Sequence, residues 1–172
     1  MSRDLIAKPL TAEAFAPFGD VLEVAESTPD KIINQGMCGR HHDRATLDFS
    51  DGQAGLSLFD SKPRDLPYAV ELVERHPEGS QAFVPLNGVP MLVIVANDLG
   101  DRPGQVHAFL SQPGQAINLH RGTWHGVLAP YQAQGQYIVI DRIGAGANLE
   151  EHWFDTPWVV TEIATDTSPA EG

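Results

Sequence analysis

The stretch 68-YAVELVERHPEGSQAFVPLNGVPMLVIVA-96 contains three runs that favour β-strands, over 68–75, 81–86 and 90–96. Each run is short and rich in β-branched or aromatic residues, and Pro, Gly and Asn separate it from the next. Neither break between these runs leaves room for a long helix. A parallel sheet with helical crossovers is therefore not expected, and the stretch indicates an all-β fold.

Similar runs occur on both sides of this stretch, beginning near Val21 and continuing over 54–62, 105–110, 115–120, 136–142 and 158–163. About eight short strands at this spacing are typical of a sandwich or barrel of the jelly-roll group. We predict only short helices, over 11–19, where Thr11 can act as the N-cap, and at 148–151, where Asn-Leu-Glu-Glu resembles a capping box. One domain is expected over 1–163, followed by a disordered polar tail over 164–172.

The composition of the chain limits which classes of molecule can be expected as its partners. Among 172 residues, 23 Asp and Glu against 11 Lys and Arg give a net charge of -12. Such a surface repels phosphate backbones and anionic lipid, so neither nucleic acid nor membrane is an expected partner. Cys38 is the only cysteine, which excludes an intrachain disulfide and a four-cysteine zinc site. Without a signal-peptide core or a long apolar run, the chain is expected to be cytoplasmic.

A first cluster of polar residues lies within the opening stretch. Residues two apart in a strand share a face, so Glu74 and His76 point the same way and Arg75 points the other way. Pro77 and the following glycine break the run, and a new strand begins at Gln81. If this new strand pairs back on the first, Gln81 returns to the face of the other two side chains.

A second cluster lies in 114-GQAINLHRGTWHGVLA-129, which reads as a strand, a turn and a strand. A strand that brings His125 beside His76 would complete a set of imidazole, carboxylate and amide groups. Such a set suits a borderline divalent cation, or acid–base chemistry without a metal.

The spacing of the two clusters resembles the paired motifs of the cupin superfamily. The first cupin motif has two histidines one residue apart, then a glutamate and a glycine, and this chain has Glu74-x-His76-x4-Gln81-x6-Gly88. The second has Gly-x5-Pro-x-Gly-x2-His-x3-Asn, and this chain has Gly114-x5-His120-x-Gly122-x2-His125-x3-Ala129. The resemblance implies an all-β, cupin-type double-stranded β-helix, a jelly-roll barrel, with a few short helices.

More specifically, the chain resembles the ureidoglycolate lyase family. The resemblance extends over most of the sequence and is carried by 13-EAFAPFGDV-21, 40-RHHD-43, 74-ERHPEGSQAFVPL-86, 118-NLHRGTWHGVL-128 and 140-IDR-142. It implies a carbon–nitrogen lyase that converts (S)-ureidoglycolate to glyoxylate and urea in the allantoin branch of purine breakdown.

The resemblance also implies roles for particular residues. His76 and His125 are expected at the centre of catalysis, with His120 assisting proton transfer. Glu74, His76, Gln81 and His125 are the expected ligands of a metal. The expected contacts to the substrate come from a further set: Asn34, Arg40, His42, Gln81, Trp124 and Arg142. Among these, Arg40 or Arg142 is expected to hold the substrate carboxylate.

The changed ligand types leave the cofactor open. A weakly bound divalent ion (Ni, Zn or Mn) and no metal at all are both compatible with a motif that has lost one histidine and exchanged a glutamate for Gln81. Two other functions also remain open, an amidohydrolase that releases ammonia and a non-catalytic cupin that binds a small carboxylate. The expected partners are a small anionic substrate and a second copy of the chain in a homodimer.

Overall fold

The computed structural model describes residues 3–24 and 27–165, and strands dominate this part of the chain. The strands are β1 Asp4–Pro9, β2 Gly19–Leu22, β3 Lys31–Ile33, β4 Cys38–Arg40, β5 Gln53–Ser61, β6 Tyr68–Arg75, β7 Gln81–Pro85, β8 Met91–Asp98, β9 Pro103–Leu110, β10 Ala116–Leu119, β11 Trp124–His125, β12 Ala129–Pro130, β13 Gly135–Ile143 and β14 Glu150–Ile163. The helices are one turn each, α1 Ala12–Phe15 and a 3₁₀ turn at Asn34–Gly36.

A seven-stranded sheet curls into a closed ring. Its order is β11-β6-β14-β1-β9-β8-β12, and β11 pairs with β8 as well as with β6. The sheet is mixed because β1 runs parallel to both of its neighbours, β14 and β9. Closure leaves β11, which carries His125, hydrogen-bonded on both sides. The position of that histidine is therefore fixed by backbone pairing.

The second sheet has five strands in the order β2-β10-β7-β13-β5 and lies against the outside of the ring. Side chains of β8 alternate between the two cores that result. Leu92 and Ile94 belong to the core inside the ring, whereas Val93 and Val95 belong to the core between the two sheets. This inter-sheet core is where the chemical groups of both motifs could meet.

The predicted all-β barrel with little helix is confirmed. The helix predicted over 11–19 is a single turn, because Thr11 accepts a hydrogen bond from the backbone of Ala14 but the chain enters β2 at Gly19. The helix predicted at 148–151 is wrong. Glu150 and Glu151 begin β14 and pair with β6 instead, so tertiary pairing overrides a local capping signal. The strand β1 was not predicted.

The expected pairing between the strands of the opening stretch is also corrected. β6 pairs with β14 and β11, whereas β7 pairs with β10 and β13 in the other sheet. Gln81 therefore approaches from across the inter-sheet space and not from a neighbouring strand.

A hairpin arm, defined as residues 30–44, contains β3 and β4, which form a separate two-stranded sheet. Its tip adopts left-handed backbone at Asn34 and Gln35, and Met37 beyond the tip is 87% exposed. The predicted disordered tail falls, from residue 166 on, outside the described residues. Within the described part, no helix has the length and apolar character needed to cross a membrane.

Candidate active site

Backbone pairing brings the two sequence motifs together. His125 on β11 lies opposite Glu74 on β6 in the register of the ring. The amide of Gly122, whose φ is 77°, donates to the carbonyl of His76 over 3.0 Å. A side chain at Gly122 would be strained in this left-handed conformation. As a result, the imidazole rings of His76 and His125 lie with centroids 5.2 Å apart.

Both imidazoles are oriented by carbonyl groups, which can only accept hydrogen bonds. Nδ1 of His76 lies 2.8 Å from the carbonyl oxygen of Asn148, and Nδ1 of His125 lies 3.0 Å from that of Gly126. Each Nδ1 must therefore carry the hydrogen, which leaves Nε2 of the neutral ring as a bare acceptor. Both Nε2 atoms are buried and have no hydrogen-bond partner in the described part of the chain.

Burial shifts the pKa values of His125 and Glu74 and so affects whether each side chain is charged. Burial, together with the neighbouring His76, lowers the pKa of His125 to about 4, so this ring stays neutral at neutral pH. Burial raises the pKa of the Glu74 carboxyl, His76 acts in the opposite direction, and Glu151 raises the pKa further. A partly buried carboxyl group thus lies beside two nitrogen acceptors.

Gln81 enters the same inter-sheet space from the five-stranded sheet. Its register partner Leu119 and its same-face neighbour Phe83 line a small cavity together with His125. The amide nitrogen of Gln81 donates to Asp141 over 3.3 Å, which fixes the orientation of the amide. Its oxygen, Oε1, is buried and has no partner among the described residues.

The donor set fits a divalent cation. Glu74, His76 and His125 each offer a ligand atom, and these atoms lie within 4.8 Å of one another. Two imidazole nitrogens with a carboxylate are borderline ligands of the kind that Zn, Ni and Mn accept. The bare, unpartnered Nε2 atoms need a cation, a proton or a donor from a ligand, because an unsatisfied buried acceptor is costly.

His120 lies on the other face of the five-stranded sheet. Its Nε2 is 3.1 Å from Asp20, whose register partner is Asn118. The alternate residues of β10, Ile117 and Leu119, belong to the inter-sheet core instead. The structure therefore does not bring His120 to the pair of histidines.

Trp124 and Arg142 are engaged elsewhere. Alternation along β11 directs Trp124 into the core of the ring, where its indole donates to Asp98 and the guanidinium of Arg75 lies 4.4 Å above its ring. Arg142 donates to the carbonyl oxygens of Phe49 and Ala145, and it pairs with an exposed aspartate. This arginine ties two loops to the end of β13.

The remaining predicted contacts, Asn34, Arg40 and His42, all lie on the hairpin arm and are exposed. No hydrogen bond joins their side chains to the two barrel sheets in the described ranges. Among the described residues, the side chains of Arg40 and His42 bond to each other.

Two residues of the site were not predicted from sequence. Asn148 accepts from His76 through its backbone and from the amide of Glu78 through its side chain. Asp141 holds Gln81. The sequence gives no signal for this role of Asn148, because the residue acts through its backbone carbonyl and lies 72 residues from His76 in the chain. Asp141 lies within β13 directly after an apolar run, and its alternation with Val139 could have placed it inward.

The neutral state of His125 predicts a pH dependence of stability. Between pH 6.5 and about 4, the unfolded chain takes up a proton at this position and the folded chain does not. The free energy of unfolding should therefore fall as pH drops through this window, by up to about 3 kcal/mol. Denaturant titrations from pH 7 to 4.5 should show a smaller fall for His125→Asn. Equal slopes for both proteins would contradict the assignment.

The position of Arg142 predicts a loss of stability on substitution. Its side chain is 4% exposed, and Arg142→Gln would leave the carbonyls of Phe49 and Ala145 without their donor. We expect a loss of about 2 kcal/mol in the free energy of unfolding. Arg64→Gln, at an exposed position, is the control and should change it by less than about 0.5 kcal/mol.

Comparison with known sequences indicates one family. A family model described as "Ureidoglycolate lyase" matches residues 2–161. A protein of Rhodobacter capsulatus named ureidoglycolate lyase is 58% identical over 91% of this chain and 97% of its own length. A Rhizobium meliloti protein named ureidoglycolate lyase 2 is 48% identical, over 89% of this chain and 94% of its own length. A solved 3,4-ketoisomerase from Helicobacter canadensis has 14% identity and a TM-score of 0.44, covering 77% of this chain and 89% of that one.

Proposed function

The chain belongs to the ureidoglycolate lyase family, and from this premise we infer that it is a carbon–nitrogen lyase that cleaves ureidoglycolate to glyoxylate and urea. One observation supports placing the reaction between the two sheets. The bare Nε2 atoms of His76 and His125 converge with the carboxyl of Glu74 in a buried space. Such a group can accept, hold and return a proton away from water.

The reaction requires two proton movements and no redox change. The substrate carbon carries a hydroxyl, a carboxylate and the ureido nitrogen. A base takes the hydroxyl proton, the C–O bond becomes a carbonyl, and the C–N bond breaks with its electron pair on nitrogen. The departing nitrogen then takes a proton, so that glyoxylate and urea together contain all the atoms of the substrate.

We assign the proton acceptor to His76. When Nε2 takes the hydroxyl proton, the hydrogen bond from Nδ1 to the carbonyl of Asn148 stabilises the resulting imidazolium. His125 is a poorer base because its burial holds the pKa near 4. It is better suited to accept a hydrogen bond or to hold a ligand. Glu74, whose pKa is raised, is suited to deliver a proton to the departing nitrogen.

The same residues are suited to hold a weakly bound divalent ion. Glu74, His76 and His125 would be its ligands, Gln81 would approach from the opposite sheet, and Ni, Zn or Mn would suit these donors. Such an ion, when bound, would polarise the substrate hydroxyl and carboxylate.

The proposal also covers the partners, the oligomeric state and the cellular location of the enzyme. The substrate is a small anion, and a net charge of -12 disfavours nucleic acid and anionic membranes as partners. A homodimer is proposed on the basis of exposed Leu56 and Leu58 on the outer face of β5. A cytoplasmic location is proposed, and a single cysteine with no disulfide is compatible with a reducing compartment.

A product assay tests the activity. Purified protein is incubated with racemic ureidoglycolate, with and without added Ni, Zn or Mn, and glyoxylate, urea and ammonia are measured. We expect glyoxylate and urea in equal amounts and no ammonia. Release of ammonia would indicate an amidohydrolase. Stabilisation against heat by a small carboxylate, without any product, would indicate a binding protein. Metal analysis of the same sample reports whether an ion accompanies activity.

A further inference from the structure

The proposed site needs a cation that the described chain does not place there. The substrate carboxylate must be held close to Glu74, and the charged neighbours that act on Glu74 are His76 and Glu151. An anion placed between carboxylates requires compensation, and a guanidinium matches the geometry of a carboxylate best.

The arginines closest to the site in the chain already have partners. Arg75 pairs with Glu150 and Asp98 and stacks on an indole. Arg121 donates to the carbonyl of Pro77 and lies near two carboxylates, and Arg142 is bound to two loops. None of the three is free to turn toward a ligand without breaking these contacts.

Arg40 and His42 form a unit that is suited to a carboxylate. Nη2 of Arg40 lies 2.8 Å from Nδ1 of His42. Because a guanidinium only donates, Nδ1 accepts, and the neutral imidazole carries its hydrogen on Nε2. The unit therefore presents guanidinium N–H groups and an imidazole N–H together. In the described ranges, no carboxylate bonds to the guanidinium of Arg40.

In the described ranges, the strands of the hairpin arm that carries this unit pair with each other and with neither barrel sheet. Ile32 is 56% exposed and Met37 is 87% exposed, and the recorded side-chain bonds from 30–44 remain within the arm or go to Ser27. The arm is basic in an acidic chain, since it carries Lys31, Arg40 and Arg44 against Asp30 and Asp43. A surface that is both apolar and oppositely charged favours docking on a second copy.

We propose that the hairpin arm of a second copy of this chain reaches the rim of the site and that its Arg40, supported by His42, binds the substrate carboxylate. This inference rests on the proposed lyase function. Each site would then be composed of Glu74, His76 and His125 from one copy and Arg40 from the other.

The rim of the site carries the complementary charge. Glu150 and Glu151 lie in register with residues 75 and 74, and Glu78 and Asp48 lie beside Arg121. Glu150 is paired with Arg75, and Arg121 lies near both Glu78 and Asp48, so Glu151 is the rim carboxylate that has no ion pair among the described residues. A second exposed apolar face lies on β5 at Leu56 and Leu58, which are 68% and 73% exposed.

Complementation between two inactive variants tests this arrangement. Arg40→Gln should lower kcat/KM about 10- to 100-fold, because a charge-assisted bond to the substrate is lost. His125→Asn should be at least as impaired. Co-expressed chains with different tags, one Arg40→Gln and one His125→Asn, are purified as mixed dimers. In such a dimer, one of the two sites has an intact set of residues from both copies. About half of the wild-type kcat per dimer is therefore expected.

A control variant and the contrary outcomes distinguish a failure of this inference from a failure of the lyase function. Lys31→Gln, the register partner of Arg40 in the hairpin, should change kcat/KM less than about threefold. An active wild type whose mixed dimers are no more active than Arg40→Gln would place the arginine in its own site and overturn the inference. Full activity of Arg40→Gln, or an active monomer, would also overturn it. A wild type that makes no glyoxylate would overturn the lyase function and this inference with it.

Discussion

Replacing His76 with asparagine is expected to lower kcat for glyoxylate release by about 10²- to 10⁴-fold, the range typical of a general acid–base group. The variant removes the Nε2 acceptor but keeps a polar side chain of smaller size. The fold should persist, because the Gly122 amide bonds to the backbone carbonyl of residue 76 and not to its side chain. Steady-state kinetics, with thermal melting of the same samples, measures both effects.

A matched control is available in His107. This histidine bonds to Asn97 and packs against Phe18, outside the candidate site. His107→Gln should retain kcat within about threefold, as is usual for substitutions away from a site. Comparable loss in both variants would mean that the effect of His76→Asn comes from general damage to the barrel. Full activity of His76→Asn would remove His76 from the mechanism.

The second large effect is on stability. Phe15→Ala is expected to lower the free energy of unfolding by about 3–5 kcal/mol. Phe15 is fully buried on α1, and its ring contacts Phe109 edge to face with centroids 5.8 Å apart. Removing it leaves a cavity between the helical turn and the inter-sheet core. Urea titration of both proteins gives the difference directly.

Phe59→Ala is the control for this prediction. Phe59 also contacts an aromatic ring, Phe83, at 6.3 Å, but it is 39% exposed at the edge strand β5. Its loss should cost less than half as much, because less apolar surface is removed from a closed core. Equal costs would indicate that Phe59 is covered in solution, which a second copy of the chain on this face would explain.

Sequence patterns predicted the strands well where alternation and turn residues agreed. The runs 68–75, 81–86, 90–96 and 136–142 all lie on observed strands. Local pattern did not show which strands pair. The middle strand of the opening stretch, β7, belongs to a different sheet from β6 and β8, because β6 pairs with β11 on one side and with β14 on the other. The capping signal at 148–151 produced no helix, because residues 150 and 151 pair with β6 as part of β14.

The residues of the site that the spacing of the two motifs defines could be predicted from the sequence. Spacing brought Glu74, His76 and His125 together, since two motif strands that pair in register must place these groups side by side. It could not place His120, whose face is decided by the alternation of β10 and by its bond to Asp20. The role of Asn148 could not be predicted from the sequence, because a backbone carbonyl can belong to any residue type.

We infer that the bare Nε2 atoms of His76 and His125 are the groups that contact the substrate. Nitrogen NMR of protein labelled in its histidines, with glyoxylate added as the product, tests this directly. We predict that both Nε2 resonances report an unprotonated nitrogen in the free protein and that both move when glyoxylate binds, while that of His107 does not. Protonated Nε2 atoms, or glyoxylate binding that leaves both resonances unmoved, would contradict the account.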